Sequence, residues 1–287
     1  MSGRLQVLTA AVLFSTAGVV VKATALTHWQ VAGFRSAVAA LVLLLVARTS
    51  VRADPRTLAV GLVIAVTFIS FIVANKLTTA AHAVFLQAAA PVYLVLLGPW
   101  LLGERVHARD LPFLGVVCVG LALLFSASVA PSATATNPAL GNAVAAFSGL
   151  TWALVLVGMR WTSRERGVAG AMTATFYGNL FAALLCAPLA LPVRGAMPVD
   201  WLVIAYLGCF QLALAYVLLT RGIGTLTALE ASLLLLLEPA LNPLWTWLVH
   251  GESPGVMAAI GGALILAATT IRAVRPPPPA AMPVVHA

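Results

Sequence analysis

Uninterrupted apolar runs of about 20 residues recur along the whole chain, separated by short polar breaks. Wound as a helix, such a run crosses ~30 Å of hydrocarbon. Of the 287 residues, 62% are hydrophobic and 8% are charged, whereas soluble domains carry roughly 25% charged residues. The runs lack the alternation of barrel strands, and a bilayer leaves exposed backbone groups unsatisfied, so the pattern predicts an all-α polytopic membrane protein.

The apolar runs predict ten transmembrane helices, at residues 4–23, 29–47, 57–75, 79–102, 110–128, 139–159, 169–191, 200–220, 226–248 and 254–272. The longest break lies between the fifth and sixth helices and carries no charge. It divides the chain into a first five-helix repeat, residues 4–128, and a second, residues 139–272. The tail, residues 273–287, contains four consecutive prolines and is predicted to be disordered. We expect the first run to remain a helix rather than a cleaved signal peptide.

The basic residues predict the orientation, because cytoplasmic loops carry an excess of Lys and Arg. With the N-terminus inside, the outer flanks contain only Lys22, Lys76 and Arg194, and Arg35 lies within the second helix. The inner flanks contain the other twelve of the 16 basic residues: Arg4, Arg48, Arg52, Arg56, Arg105, Arg109, Arg160, Arg164, Arg166, Arg221, Arg272 and Arg275. We therefore predict a bacterial inner (plasma) membrane protein with both termini, and thus the tail, in the cytoplasm.

The fourth and ninth predicted helices look like copies of each other. Aligned without a gap, residues 79–104 and 227–252 are identical at eight of 26 positions. The informative matches are a mid-helix proline, Pro91 with Pro239, and a Gly-Glu pair at the helix end. Copies five helices apart have opposite orientations, and such inverted repeats are common in secondary transporters. The predicted architecture is therefore two inverted five-helix repeats.

The same stretches resemble a known family. The chain resembles the end of an EamA domain at residues 75–81, 85–87, 90–93 and 102–105, and again at residues 233–239 and 251–252. It also resembles the second helix of that domain at residues 29–45. The resemblance covers residues 4–272 and implies the drug/metabolite transporter superfamily. It implies ten helices, cytoplasmic termini, and export or import of amino acids, their derivatives or other small metabolites. These motifs mark the scaffold rather than the substrate.

Glu238 is the first candidate functional residue, because an ionisable group at membrane depth is costly. Twelve residues into the ninth helix, it can carry a coupling proton or hold a substrate ammonium group. A structural role beside Pro239 is the alternative. Asn242 lies one turn further on the same face. Pro239, Pro243 and Pro91 each remove a backbone donor, so they are candidates either for helix kinks that gate a site or for simple packing kinks.

Gln87 lies one turn before Pro91 and offers both a donor and an acceptor to a substrate, or to a neighbouring helix. Further candidate lining residues are Tyr93, Trp152, Tyr177, Asn179, Gln211 and Tyr216. Arg35 either snorkels to the outer surface or pairs with an acid such as Asp200 or Glu238, and its family-like position favours a structural role. Glu104 and Glu252 lie at helix ends, where they suit caps or latches.

Other classes of function fit less well. The net charge of +8 is scattered in small groups, which argues against nucleic-acid binding. The cysteines (Cys118, Cys186 and Cys209) have no metal-ligand spacing, so no metal or cofactor is predicted. An intramembrane enzyme and a channel or receptor are the alternatives, but catalytic motifs, pore rings and a P-loop are absent from the sequence. We predict a non-enzymatic secondary transporter, monomeric or homodimeric. Its predicted partners are a small-molecule substrate, the lipid bilayer and, if transport is proton-coupled, protons.

Overall fold

The computed structural model of the chain describes residues 1–45, 53–78, 80–103, 108, 111–126, 137–250 and 256–274. The helices are α1 (Gly3–Ser15), α2 (Ala17–Lys22), α3 (His28–Leu45), α4 (Pro55–Leu77), α5 (Ala80–Gln87), α6 (Ala90–Leu102), α7 (Leu111–Ser126), α8 (Pro138–Ala190), α9 (Pro198–Tyr206), a π-helix (Leu207–Leu214), α10 (Ala215–Ile223), α11 (Ala228–Leu235), α12 (Leu237–His250) and α13 (Val256–Val274). The described residues form no strand. The all-α fold class is confirmed.

Several of these helices suit a membrane. Within the described residues, five segments are long and apolar enough to span one: Gly3–Val21, His28–Leu45, Pro55–Leu77, Pro138–Ala190 and Pro198–Ile223. Large apolar side chains also face outward, among them Trp100, which is 89% exposed. An exterior with many exposed large apolar side chains is costly in water and favourable in lipid. These features fit a polytopic membrane protein, while the count of ten helices and their inverted halves remain predictions.

Helix α8 covers the sixth and seventh predicted helices, and it is interrupted at Gly167 rather than over the whole of residues 160–168. The helix continues through the polar stretch Arg160 to Arg166 and leaves helical geometry only at Gly167, where φ is 67° and ψ is −170°. Arg and Glu are good helix formers, so a polar stretch lowers hydropathy without ending a helix. A positive φ is readily adopted only by glycine, which explains why the bend falls at residue 167.

Three of the predicted membrane segments are each broken into two helices. The breaks lie at Thr16 between α1 and α2, at residues 88–89 between α5 and α6, and at Leu236 between α11 and α12. The last two fall just before Pro91 and Pro239, whose rings conflict with the carbonyl four residues earlier. Helices α5 and α11 have eight residues each and begin at matched positions of the repeat alignment. Two copies of one segment are expected to share such a break.

The π-helix between α9 and α10 was not indicated by the sequence. It packs closely on α3, since a Cβ at Gly208 would lie 2.5 Å from Val38 Cβ and 2.9 Å from the Arg35 carbonyl oxygen. Within it, Gln211 contacts the side chain of Arg35. π turns are rare and are found frequently at functional sites. The π-helix therefore places Gln211 in a direction that the spacing of an ideal α-helix would not have given it.

Helices α4 and α8 approach each other closely through glycines. A Cβ at Gly178 would lie 2.3 Å from Ile64 Cγ2, 2.6 Å from Ile64 Cβ and 3.2 Å from the Gly61 carbonyl oxygen. A Cβ at Gly61 would lie 2.9 Å from Tyr177 Cβ. Small residues allow membrane helices this kind of backbone contact. The contact fixes α4 against α8, and both helices contribute to the central cavity described below.

Gly178→Ala is expected to destabilise the protein by about 1–3 kcal/mol, the usual cost of overpacking a close contact. The Cβ of Ile64 is fixed by its backbone, so rotating that side chain cannot relieve the clash and the helices must separate. The matched control is Gly98→Ala in α6, where an added Cβ has no neighbour within 4 Å. Unfolding of both variants in mixed detergent micelles measures the difference. Equal stabilities for the two variants would contradict the close packing.

Candidate functional site

A small cavity lies between helices of both predicted halves. Its volume is about 40 Å³, which holds on the order of one or two water molecules. The first half contributes Phe14, Arg35, Thr67, Phe68, Phe71 and Gln87, and the second contributes Trp152, Gln211, Leu212, Tyr216 and Glu238. We call this the central cavity. Its lining combines aromatic rings, neutral polar groups, one basic residue and one acidic residue, a mixture typical of sites that bind small molecules.

Arg35 of α3 lines the central cavity and is only 2% exposed. Its Nη1 donates to Gln211 Oε1 at 3.2 Å, its Nη2 makes a long contact of 3.5 Å to the Phe68 carbonyl oxygen, and its Cζ lies 5.9 Å from the Phe68 ring centroid. All of these partners are neutral. Its Nε is buried without a hydrogen-bond partner in the described part of the chain. The guanidinium is therefore held in place but incompletely satisfied.

Neither expectation for Arg35, a place at the outer surface or a pair with Asp200 or Glu238, matches the structure. The side chain points into the central cavity. Asp200 is occupied elsewhere, since it accepts hydrogen bonds from Thr24 Oγ1 at 2.6 Å and from the Met197 backbone N–H at 2.8 Å. No ion pair joins Arg35 to an acid among the residues that the structure describes.

Glu238 is the second residue of α12 and directly follows the break at Leu236. It lines the central cavity together with Arg35, yet within the described residues the two side chains form no ion pair. The first turn of a helix carries N–H groups without an intrahelical partner, and an acidic side chain there can accept hydrogen bonds from them. Its side chain faces the cavity, where a proton or a ligand can reach it.

A second cavity, with a volume of about 20 Å³, adjoins the first. Gln87, Trp152 and Glu238 line both cavities. The remaining lining comes largely from around the two helix breaks: Val84, Ala88, Ala90, Pro91, Ser232, Leu235, Leu236 and Pro239. Gln87 Nε2 donates to Ser148 Oγ at 2.8 Å, which fixes α5 against α8. The broken helices of both predicted halves thus meet at one place.

Four aromatic rings form a cluster around the central cavity. Tyr216 makes edge-to-face contacts with Phe14, Phe68 and Trp152, at centroid distances of 5.2, 5.1 and 6.2 Å. Phe14 and Trp152 are 6.3 Å apart in the same arrangement. Edge-to-face pairs are worth about 0.5–1.5 kcal/mol beyond their burial, so the cluster makes a firm apolar wall.

Comparisons with known proteins agree with a polytopic membrane protein. The model of the EamA-like transporter family matches the chain twice, over residues 1–126 and 139–272. The chain belongs to the EamA-like transporter family. An uncharacterized transporter of Archaeoglobus fulgidus is 33% identical over 207 residues, which are 71% of each chain. A solved crystal structure superposes with a TM-score of 0.75 at 20% identity, covering 94% of this chain and 95% of that one, and so supports the fold. The resemblance stated from the residues is confirmed.

In this EamA-like transporter, some of the predicted site residues come together. Gln87, Trp152, Gln211 and Glu238 line the central cavity, and Pro91 and Pro239 line the second cavity. Whether these residues bind substrate or gate its passage remains a prediction. Pro243 lies within α12, but its side chain is outside the described part of the structure. Glu104 and Glu252 also lie outside the described residues.

Four other candidates lie away from both cavities. Tyr93 packs against the main hydrophobic core. Tyr177 makes an edge-to-face contact with Phe176 and a tilted ring contact with Phe181, both in α8. Asn179 is buried and donates through Nδ2 to the Thr175 carbonyl oxygen of its own helix. Asn242 lies beside Gly18, whose added Cβ would be 2.9 Å from Asn242 Oδ1. In this conformation, a substrate in the central cavity would not contact these residues.

Several residues that line the central cavity were not predicted from the sequence: Phe14, Thr67, Phe68, Phe71 and Leu212. They are common residues of apolar helices and carry no individual signal. Arg35 did carry one, since an arginine so far inside an apolar run is rare. Its similarity to a family position led to the structural interpretation instead.

Among the polar contacts that join the predicted halves away from the cavities, two involve buried acids. Arg4 of α1 donates from Nε and Nη2 to Glu230 Oε1 of α11 at 2.9 and 2.7 Å, with the two side chains 13% and 4% exposed. Thr24, which follows α2, donates to Asp200 of α9. In the predicted orientation the first contact is at the cytoplasmic side and the second at the outer side. The sequence did not predict either contact: Glu230 was given no partner, and Asp200 was considered only as a partner of Arg35.

Proposed function

We propose that this EamA-like transporter is a secondary transporter that moves a small metabolite across the inner membrane by alternating access. The observation that carries the proposal is the central cavity, where a buried cation and an acid lie between helices of both halves. Charged groups at membrane depth are costly, and they usually mark a substrate or ion pathway. The family and the archaeal relative support a membrane transporter, and the cavity supports a binding site within it.

Alternating access needs halves that move against each other around a fixed site. The broken pairs α5/α6 and α11/α12 meet at the second cavity and provide hinges on both sides of it. The Arg4–Glu230 and Thr24–Asp200 contacts supply closures at opposite ends. In this proposal the inverted five-helix halves rock so that one contact opens while the other stays closed.

In this proposal Glu238 carries the coupling proton. A carboxylate binds and releases one proton, and Glu238 faces the cavity that both sides of the membrane would reach in turn. A role in holding a substrate ammonium group is the alternative, because a carboxylate can do either. The two roles differ in which transport activity remains when the charge of Glu238 is removed.

Purified protein in proteoliposomes tests the proposal. Labelled metabolites of several classes are offered with no pH gradient and with a gradient imposed in either direction. We expect saturable flux of at least one compound, absent from protein-free vesicles. Absence of flux for every compound would count against a transporter, and a chemically altered product in place of flux would favour an intramembrane enzyme.

A further inference from the structure

Arg35 is a buried cation that forms no direct ion pair within the described part of the chain. An arginine guanidinium remains protonated in proteins. Burying one without an anion is strongly unfavourable, and the one or two water molecules that the cavity can hold compensate only part of that cost. A side chain kept in this state calls for an anion that reaches it during the working cycle.

The hydrogen bonds of Arg35 leave room for that anion. The guanidinium has five N–H donors in a planar fork. Among the described residues, Gln211 Oε1 and the Phe68 carbonyl oxygen each engage one terminal nitrogen, and Nε has no acceptor. Carboxylates bind such a fork through two parallel hydrogen bonds. Arg35 is therefore oriented by neutral groups while part of its donor capacity is unused.

We propose that the transported compound supplies the missing charge, and that it is a singly charged carboxylate that binds Arg35 in the central cavity. This inference rests on the proposed function and names its substrate class. A doubly charged phosphate fits less well, because Arg35 is the one cation that lines the cavity among the described residues. The aromatic rings of Phe14, Phe68, Trp152 and Tyr216 would pack against the apolar body of the same molecule.

The size of the central cavity limits how the carboxylate binds. At about 40 Å³ it is much smaller than the roughly 300–1,000 Å³ of a typical small-molecule site. The helices around it must therefore separate when the compound enters. The broken helices beside Gln87 and Glu238 are where we expect this movement.

Matched acid and amide pairs test the inference on the wild-type, full-length protein in detergent at pH 7. Butanoate with butanamide, and 3-phenylpropanoate with 3-phenylpropanamide, differ only in the charged group. Their binding is measured from the ligand-induced shift of the melting temperature. We expect each acid to bind at least about 30-fold more tightly than its amide, the lower range for losing one partner of a buried charge pair. Equal affinities for acid and amide would overturn the inference.

Variants assign the preference to Arg35. Arg35→Gln should bring the acid-to-amide ratio to about one, while Arg35→Lys should keep part of it, because lysine retains the charge but not the planar fork. The matched control is Arg160→Gln in α8, whose Nη1 donates to the carbonyl oxygens of Ile223 and Gly224 outside the cavity. It should leave the ratio unchanged. If Arg35→Gln does not fold, the affinities of the wild-type protein for acid and amide still test whether it binds a carboxylate.

The outcomes separate this inference from the proposed function. Selective binding of acids without flux in proteoliposomes would support the carboxylate site and count against the transporter. Saturable flux of a compound that has no anionic group would support the transporter and overturn the carboxylate site. An acid preference that persists in Arg35→Gln would also overturn the assignment to Arg35.

Discussion

Glu238→Gln is expected to abolish accumulation of the transported compound in proteoliposomes, while exchange of labelled for unlabelled compound continues. Glutamine resembles a protonated glutamic acid in shape but cannot release a proton. At one proton per molecule, a pH difference of one unit corresponds to about 1.4 kcal/mol, and so to about a tenfold accumulation in the wild type. In the variant the ratio of inside to outside concentration should fall to about one.

Glu165→Gln is the matched control for this experiment. Glu165 is an exposed residue of α8 away from both cavities, so its loss should leave accumulation unchanged. Full accumulation in Glu238→Gln would remove the coupling role. Loss of both accumulation and exchange would instead assign Glu238 to substrate binding, as expected if it holds an ammonium group.

The second large effect concerns the ion pair between Arg4 and Glu230. Glu230→Gln removes the negative charge of this pair, and a hydrogen bond to a charged group contributes about 1.5–3 kcal/mol. Opening that end of the protein separates the pair, so the variant is relieved of part of the cost of opening. Each 1.4 kcal/mol relieved shifts the equilibrium by about tenfold toward the open form. We therefore expect the variant to favour the conformation open at this end.

A cysteine at Ser232 reports that opening. Ser232 is 3% exposed and lines the second cavity close to Glu230 along α11. In a background with the native cysteines replaced by alanine, Glu230→Gln should raise its labelling rate with an impermeant maleimide by about tenfold or more. The exchange Arg4→Glu with Glu230→Arg should restore slow labelling. Unchanged labelling in Glu230→Gln would show that the pair does not close this end.

A surface ion pair provides the control for that labelling. Arg166 of α8 pairs with Asp54, and the two side chains are 42% and 24% exposed. Exposed pairs contribute about 0–1 kcal/mol. Arg166→Gln removes the pair while keeping Asp54, which caps α4 by accepting from the backbone N–H groups of Arg56 and Thr57. Labelling at residue 232 should stay close to the wild-type rate.

The parts of the molecule that follow from local chemistry were predictable. Long apolar runs predict membrane helices because the bilayer admits few other structures. Pro91 and Pro239 lie just beyond real helix breaks because a proline ring acts on its own helix. Glu238 and Gln87 were identifiable because polar groups are rare inside apolar runs. Each of these signals is contained within about one helical turn.

The parts that depend on distant partners were not predictable. Arg35 and Gln211 are 176 residues apart in sequence, and Arg4 and Glu230 are 226 residues apart. Nothing in either neighbourhood identifies the partner. The π-helix decides which side chains of its segment face Arg35, and a single extra residue per turn leaves no mark in hydropathy. The bend at Gly167 was likewise hidden by a polar stretch that resembles a loop.

The small size of the two cavities bears on how tightly the membrane stays sealed. With volumes of about 40 and 20 Å³, these two cavities of the described part of the chain hold only a few water molecules, too few to form by themselves a continuous file across ~30 Å of hydrocarbon. Protons hop readily along such a file, and a carboxylate at its centre would short-circuit the gradient that drives uptake or export. A carrier that closes down around its own charged groups between cycles can remain in the membrane without draining the cell's energy supply.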